Sequence, residues 1–143
     1  MRHFLATAAT CIALSATSVW AEVHKLAIHV DENDPFTMNL ALNNAKNVDA
    51  YYSAKGDEVI IEIVAYGPGL NMFVADKSPV ADRISTMSLE MDNISFAACG
   101  NTHRNMSKKA GKDVALMSEA TMVPSGVVRL MELQEDGYSY LRP

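Results

Sequence analysis

Residues 58–66 read Glu-Val-Ile-Ile-Glu-Ile-Val-Ala-Tyr, a nearly unbroken run of β-branched and apolar side chains. A strand with one face in water alternates apolar and polar residues, whereas this run is apolar on both faces. It therefore predicts a central strand of a parallel sheet that is covered on both sides. Gly-Pro-Gly at 67–69 follows directly and marks the end of the strand.

Other apolar runs alternate with helix-period segments on both sides of this strand. Further strands are predicted over 24–30, 94–99, 120–123 and 138–141. Helices are predicted over 35–55, from 70 with a second start at 78–79 up to 89, from 103 to 109, and over 127–135. Residues 113–119 are assigned to neither class. The alternation predicts a three-layer α/β/α sandwich with a mainly parallel sheet of about five strands.

The first 21 residues have the pattern of a secretory signal peptide. A short basic start at 1–3 precedes an apolar and small-residue segment at 4–16, and Val-Trp-Ala at 19–21 suits signal peptidase. The apolar run is shorter than the roughly 20 residues that span a bilayer. We therefore expect a periplasmic or secreted protein, cleaved after Ala21, with a single domain over 22–143 and no membrane attachment.

Composition and motifs exclude several classes of partner. The chain has 143 residues, 49% of them hydrophobic, and a formal net charge of −5, which offers no positive surplus for nucleic acid. The sequence contains no dinucleotide fingerprint, phosphate loop or hydrolase elbow. No cofactor and no metal are predicted.

Three predicted strand ends carry distinctive residues, at 66–71, 99–102 and 123–126, and open α/β sheets place their sites at that edge. A helix starting within a few residues of Cys99 would bring backbone N–H groups and the positive end of the helix dipole to its sulfur. Such an environment lowers the pKa of a thiol below its free value of about 8.5. His103, four residues further on, is expected to donate to the same sulfur.

Position alone leaves two interpretations of Cys99 open. It is either a reactive thiolate or a small buried hydrophobe that follows Phe-Ala-Ala at 96–98. Cleavage after Ala21 would remove Cys11 and leave Cys99 unpaired. Since a free thiol without a use is a liability in an oxidising compartment, export favours the reactive interpretation.

Three segments in combination resemble the DsrE/DsrF-like family: 65–70, 94–102, and 123–128 with 132–138. The resemblance spans essentially all of 22–143 and implies a compact α/β/α fold and oligomers, often trimers or hexamers. We therefore expect a homo-oligomer. In the sulfur-relay members of the family, a cysteine at the end of the third strand accepts sulfur as a persulfide and passes it to a partner protein. Cys99 matches that position.

The leading hypothesis is thus a periplasmic persulfide carrier or sulfurtransferase with Cys99 as the acceptor. Seven residues are expected to surround the sulfur: Gly100, Asn101, Thr102 and His103 beside it, and Tyr66, Gly67 and Asn71 as the opposite wall. A second hypothesis is a non-catalytic oligomeric module whose strand-end cleft binds a small ligand or a partner chain. A third is a redox sensor that forms an intermolecular disulfide through Cys99.

Overall fold

The core of the molecule is a five-stranded sheet in which every pair of neighbouring strands is parallel. A computed structural model of the chain describes residues 21–143; apart from Ala21, the predicted signal peptide lies outside them. The strands are β1 (Val23–Val30), β2 (Glu58–Ala65), β3 (Ile94–Cys99), β4 (Ala120–Val123) and β5 (Ser139–Leu141), in the spatial order β4-β3-β2-β1-β5. Residues 58–65 form the central strand, as their apolar run predicts.

The helices cover both faces of the sheet, which confirms the predicted three-layer α/β/α class. They are α1 (Pro35–Ser53), α2 (Ala81–Glu90), α3 (Gly100–Ala110) and α4 (Gly126–Glu135), with a 3₁₀ helix at Gly67–Phe73. The helix α1 begins where predicted, because the Asp34 carboxylate accepts the Thr37 N–H at 2.9 Å and caps it. Among the described residues, no helix is long and apolar enough to cross a membrane.

The two faces of the sheet are covered unequally. On one face, side chains of β1, β2 and β3 pack against α1, α2, α3 and the 3₁₀ helix in the main hydrophobic core. On the other face a smaller cluster joins Leu130 and Leu133 of α4 to Ala27, Val64 and Ala97. One short helix therefore covers the face toward which Cys99 points, since Cys99 lies two residues after Ala97 on the same strand.

The segment after β2 differs from the prediction. A helix is expected from residue 70, but residues 67–73 form a 3₁₀ helix and α2 begins only at Ala81. The cause is the close approach of Gly69 to the end of β1, where a Cβ at position 69 would lie 2.3 Å from the carbonyl oxygen of Val30. Residues 113–119, which the sequence leaves unassigned, form neither a helix nor a strand; Leu116 makes an isolated β-bridge to Val74.

The Gly69→Ala variant is expected to lower the free energy of unfolding by about 3 kcal/mol or more, because its Cβ would overlap rigid backbone. The control is Gly56→Ala, whose Cβ would meet nothing within 4 Å although its φ is +80°. That variant is expected to cost only about 1–2 kcal/mol. Urea unfolding of both variants is the measurement, and equal losses of stability would contradict the steric assignment.

Candidate functional site

Cys99 stands at the junction of a strand and a helix. It is the last residue of β3 and the N-cap of α3, which begins at Gly100 with no intervening loop. The predicted start of this helix after Thr102 is therefore wrong. Gly100 permits the earlier start because it has no side chain. A Cβ at this position would lie 3.0 Å from the carbonyl oxygen of Val123. Cys99 itself is buried, with 4% of its surface exposed.

The side chain of Cys99 lies at the first turns of two helices: Cys99 is the N-cap of α3, and a Cβ on Gly126, the first residue of α4, would lie 3.2 Å from its Cβ. The backbone N–H groups of Asn101 and Thr102 belong to α3, and the backbone N–H of Gly126 is the first of α4. These N–H groups have no partner within their own helices, and each helix N-terminus carries a partial positive charge. Two helix N-termini therefore stabilise negative charge on one sulfur atom.

The Thr102 side chain adds a fourth donor. Its hydroxyl oxygen accepts the backbone N–H of Gly67 at 2.9 Å, and its interaction with the sulfur lowers the pKa of Cys99. A hydroxyl has one hydrogen to donate and two lone pairs, so acceptance from Gly67 directs that hydrogen toward the sulfur. Thr102 thus ties the turn after β2 to the thiol.

These donors outweigh the effect of burial on the Cys99 thiol. Burial by itself raises the pKa of the thiol, but the hydrogen bonds from the Thr102 hydroxyl and from the N–H groups of Gly126, Thr102 and Asn101 bring the pKa of Cys99 below its ordinary value. The thiolate is the nucleophilic form of cysteine. The geometry therefore favours the reactive form of a residue that its exposure alone would class as a packing residue.

Gly126 lies between Cys99 and Tyr66. A Cβ on Gly126 would lie 3.0 Å from Cβ and Cδ1 of Tyr66 and 3.2 Å from Cβ of Cys99. The absence of a side chain lets the start of α4 approach the sulfur closely. Tyr66 stacks in turn on His29, with ring centroids 4.6 Å apart. Burial, together with the nearby negative charge of Asp31, raises the pKa of Tyr66, so its hydroxyl stays protonated at neutral pH.

A cleft of about 340 Å³ adjoins the site at Thr102. Gly67 and Asn71 of the predicted wall line it with Thr102, together with Pro68, Asn105, Met106 and Lys109. The Oδ1 atom of Asn71 is buried and has no hydrogen-bond partner among residues 21–143. The third wall residue, Tyr66, lies near Gly126 and Cys99, so the structure divides the predicted wall between the sulfur and the cleft.

His103 does not take the predicted role. Its Nε2 donates to the carbonyl oxygen of Val114 at 2.7 Å and lies 3.6 Å from the Asp113 carboxylate. The side chain is buried, 9% exposed, in this interaction with the segment after α3. The expectation that His103 donates to Cys99 is therefore corrected: threonine and backbone donors take that place, and His103 fixes the chain after α3.

Gly126 is a residue of the site that the sequence did not predict. The sequence singles out 123–126 as a strand end but assigns no residue there to the sulfur. The signal was the sheet order, since β3 pairs with β4 and Cys99 is opposite Val123 in the register. The ends of neighbouring parallel strands share one edge, so the helix that follows β4 begins beside Cys99.

The similarity of the chain to known proteins lies among solved structures. No family model matches the chain, and no curated protein matches it. Among solved structures, the chain is similar to a protein of unknown function, MTH1491, from Methanobacterium thermoautotrophicum. The two are 30% identical in sequence with a TM-score of 0.68, and the match covers 84% of this chain and 99% of the other.

The Thr102→Val variant tests the hydroxyl as a donor to the sulfur. It keeps the shape of threonine and removes the hydrogen bond that contributes most to lowering the pKa of Cys99. We expect the pKa of Cys99 to rise, so that the thiolate fraction at a pH below both values falls about threefold to tenfold. The measurement is the pH dependence of the thiolate ultraviolet absorbance, with Cys99→Ser as the blank. Thr102→Ser keeps the hydroxyl and should titrate like the wild type; an unchanged titration of Thr102→Val would remove the hydroxyl from the site.

Proposed function

This chain belongs to the same family as MTH1491, and we propose that it is a sulfur-relay protein that carries sulfane sulfur as a persulfide on Cys99. The single observation that carries the proposal is the convergence of two helix N-termini on one buried sulfur atom. A residue that only fills space in a core has no need of a position beside two helix N-termini. A residue that must hold negative charge before and after a reaction needs them.

The chemistry is a thiolate displacement. The Cys99 thiolate attacks the outer sulfur of a sulfane donor such as thiosulfate, and a new S–S bond forms to Cys99. The S–S bond of the donor breaks, and its electron pair leaves with sulfite. The charge on the protein remains one negative charge, now on the outer sulfur of the persulfide. Attack on that outer sulfur by an acceptor thiolate regenerates the Cys99 thiolate.

The cleft at Thr102 supports small donors as substrates. Cys99 is only 4% exposed, so a bulky donor has no direct approach to its sulfur. The cleft is bordered by amide side chains and by Lys109, which suits a small polar anion. Thr102 lines the cleft and lies in the first turn of the helix that Cys99 caps, so a donor bound in the cleft would be close to Cys99 without direct contact with its sulfur.

Export and self-association complete the proposal. The signal-peptide pattern of residues 1–21 supports export of the carrier to the periplasm or out of the cell. The resemblance to the DsrE/DsrF-like family implies a homo-oligomer. Three side chains of α4 support an association surface, because Val127, Val128 and Met131 are each about half exposed.

A second candidate function is a non-catalytic module that binds a small ligand in the cleft. One observation favours it: the residues that line the cleft include Thr102 and Asn71 but not Cys99. A ligand could then occupy the cleft without reacting. Exchange of the cysteine for serine separates this function from the carrier, because only the carrier needs the sulfur.

The intact mass after exposure to thiosulfate or polysulfide tests the carrier. We expect the wild type to gain one or more sulfur atoms, which a reductant removes, and Cys99→Ser to gain none. Both proteins are prepared as the mature chain 22–143, in which Cys99 is the one cysteine, so the comparison isolates Cys99.

The outcome that would contradict the carrier is the absence of any mass gain with both donors in a protein whose thiol still reacts with an alkylating agent. Retention of ligand binding in Cys99→Ser would then support the binding module. Equal gains in the wild type and Cys99→Ser would assign the reaction to another residue.

A further inference from the structure

A carboxylate is buried on the sheet face that α4 covers. Glu62, in the middle of β2, is 7% exposed. It forms a bidentate ion pair with Arg129 of α4, with Nε to Oε1 at 2.7 Å and Nη2 to Oε2 at 2.6 Å. None of the chemistry proposed for Cys99 uses either side chain. The pair therefore needs another reason for its place in the structure.

Stability is a weak reason to bury such a pair. Glu62 is removed from water while about a third of the Arg129 side chain stays exposed, and the cost of burying a charge offsets much of the attraction within a pair. A bidentate arginine–carboxylate pair differs from an apolar contact because its two parallel hydrogen bonds fix an orientation. The apolar contacts of α4 define its orientation less well, since its two buried leucines, at positions 130 and 133, pack on Ala27, Val64 and Ala97.

Arg129 lies one turn from the start of α4. Its backbone N–H donates to the carbonyl oxygen of Ser125 at 3.0 Å, in the first turn of the helix. Gly126 belongs to the same turn and packs against Cys99, since a Cβ on Gly126 would lie 3.2 Å from the Cβ of Cys99. A change in the position of Arg129 is therefore transmitted to Gly126 through a single helical turn.

We propose that the ion pair between Glu62 and Arg129 positions the N–H of Gly126 on the sulfur of Cys99, so that both are positioning residues for the chemistry of Cys99. The significance of this role rests on the proposed function, but the geometry that it predicts does not. Glu62 and Arg129 touch neither the sulfur nor the cleft, and they act only through the placement of α4.

The direction in which the pKa of Cys99 shifts distinguishes a positioning role of Glu62 from a direct effect of its charge. The loss of a negative charge at position 62 would by itself favour the thiolate and lower the pKa of Cys99. The loss of the Gly126 hydrogen bond would disfavour the thiolate and raise the pKa. In Glu62→Gln, we expect the second effect to win, so that the thiolate fraction at a pH below both values falls about threefold to tenfold.

The experiment is the thiolate titration of the full chain by ultraviolet absorbance, with the same variants made in Cys99→Ser as blanks. Arg129→Lys is the second variant; it keeps the charge but loses the two parallel bonds, and its titration should shift in the same direction. The matched control is Glu132→Gln, because Glu132 is an exposed partner of the same arginine, 3.8 Å from its Nη1. Its titration should match that of the wild type or lie slightly lower.

Each result decides the proposal. Higher titration midpoints in Glu62→Gln and Arg129→Lys, with no rise in Glu132→Gln, would support it. Circular dichroism shows which variants are folded, and if Glu62→Gln is not, Arg129→Lys decides alone. An unchanged or lower midpoint in a folded variant of the pair would overturn the proposal, as would an equal rise in Glu132→Gln. The titration uses no sulfur donor, so a failure of the carrier function would appear in the mass experiment and not here.

Discussion

The site depends on one topological constraint: in a parallel sheet, neighbouring strands end at the same edge. β3 and β4 are paired in register so that Cys99 is opposite Val123. The helices that follow these strands, α3 and α4, therefore begin side by side. Their free N–H groups have no partners within the helices, and the sulfur of Cys99 is the acceptor that meets both sets. The same arrangement serves anions at the edges of many α/β sheets.

The unequal cover of the sheet gives the two faces different tasks. The face under α1, α2, α3 and the 3₁₀ helix contains the largest fully buried side chains and carries most of the apolar burial. The other face is filled by small residues under a single helix. Because α4 buries so few apolar side chains, its position depends on specific polar contacts such as the pair between Glu62 and Arg129. The N-terminus of α4 forms part of the site. Stability and reactivity are thus divided between the two sides of one sheet.

The sequence predicts the fold well because the decisive signals are local. The apolar run over 58–66, the helix cap at Asp34 and the glycines that follow α1, α3 and α4 all act within a few residues. It also predicts Cys99, Thr102 and Asn101 at the site, because they adjoin one strand end. It fails for His103 and Gly126, whose partners lie elsewhere in the chain. His103 donates to the carbonyl oxygen of Val114, and the pairing of β3 with β4 brings Gly126 beside Cys99. The close approach of Gly69 to Val30, which tightens the 3₁₀ helix, is also a tertiary effect.

The pH titration of the Cys99 thiol in the wild-type protein, measured folded and again in denaturant, tests whether this sulfur is built to hold negative charge. Convergent N–H groups and the Thr102 hydroxyl predict a lower midpoint in the folded protein than in the unfolded chain. They also predict that a folded protein alkylates at Cys99 at neutral pH. A folded midpoint equal to or above the unfolded one would mean that burial dominates, and Cys99 would then be a packing residue of the core.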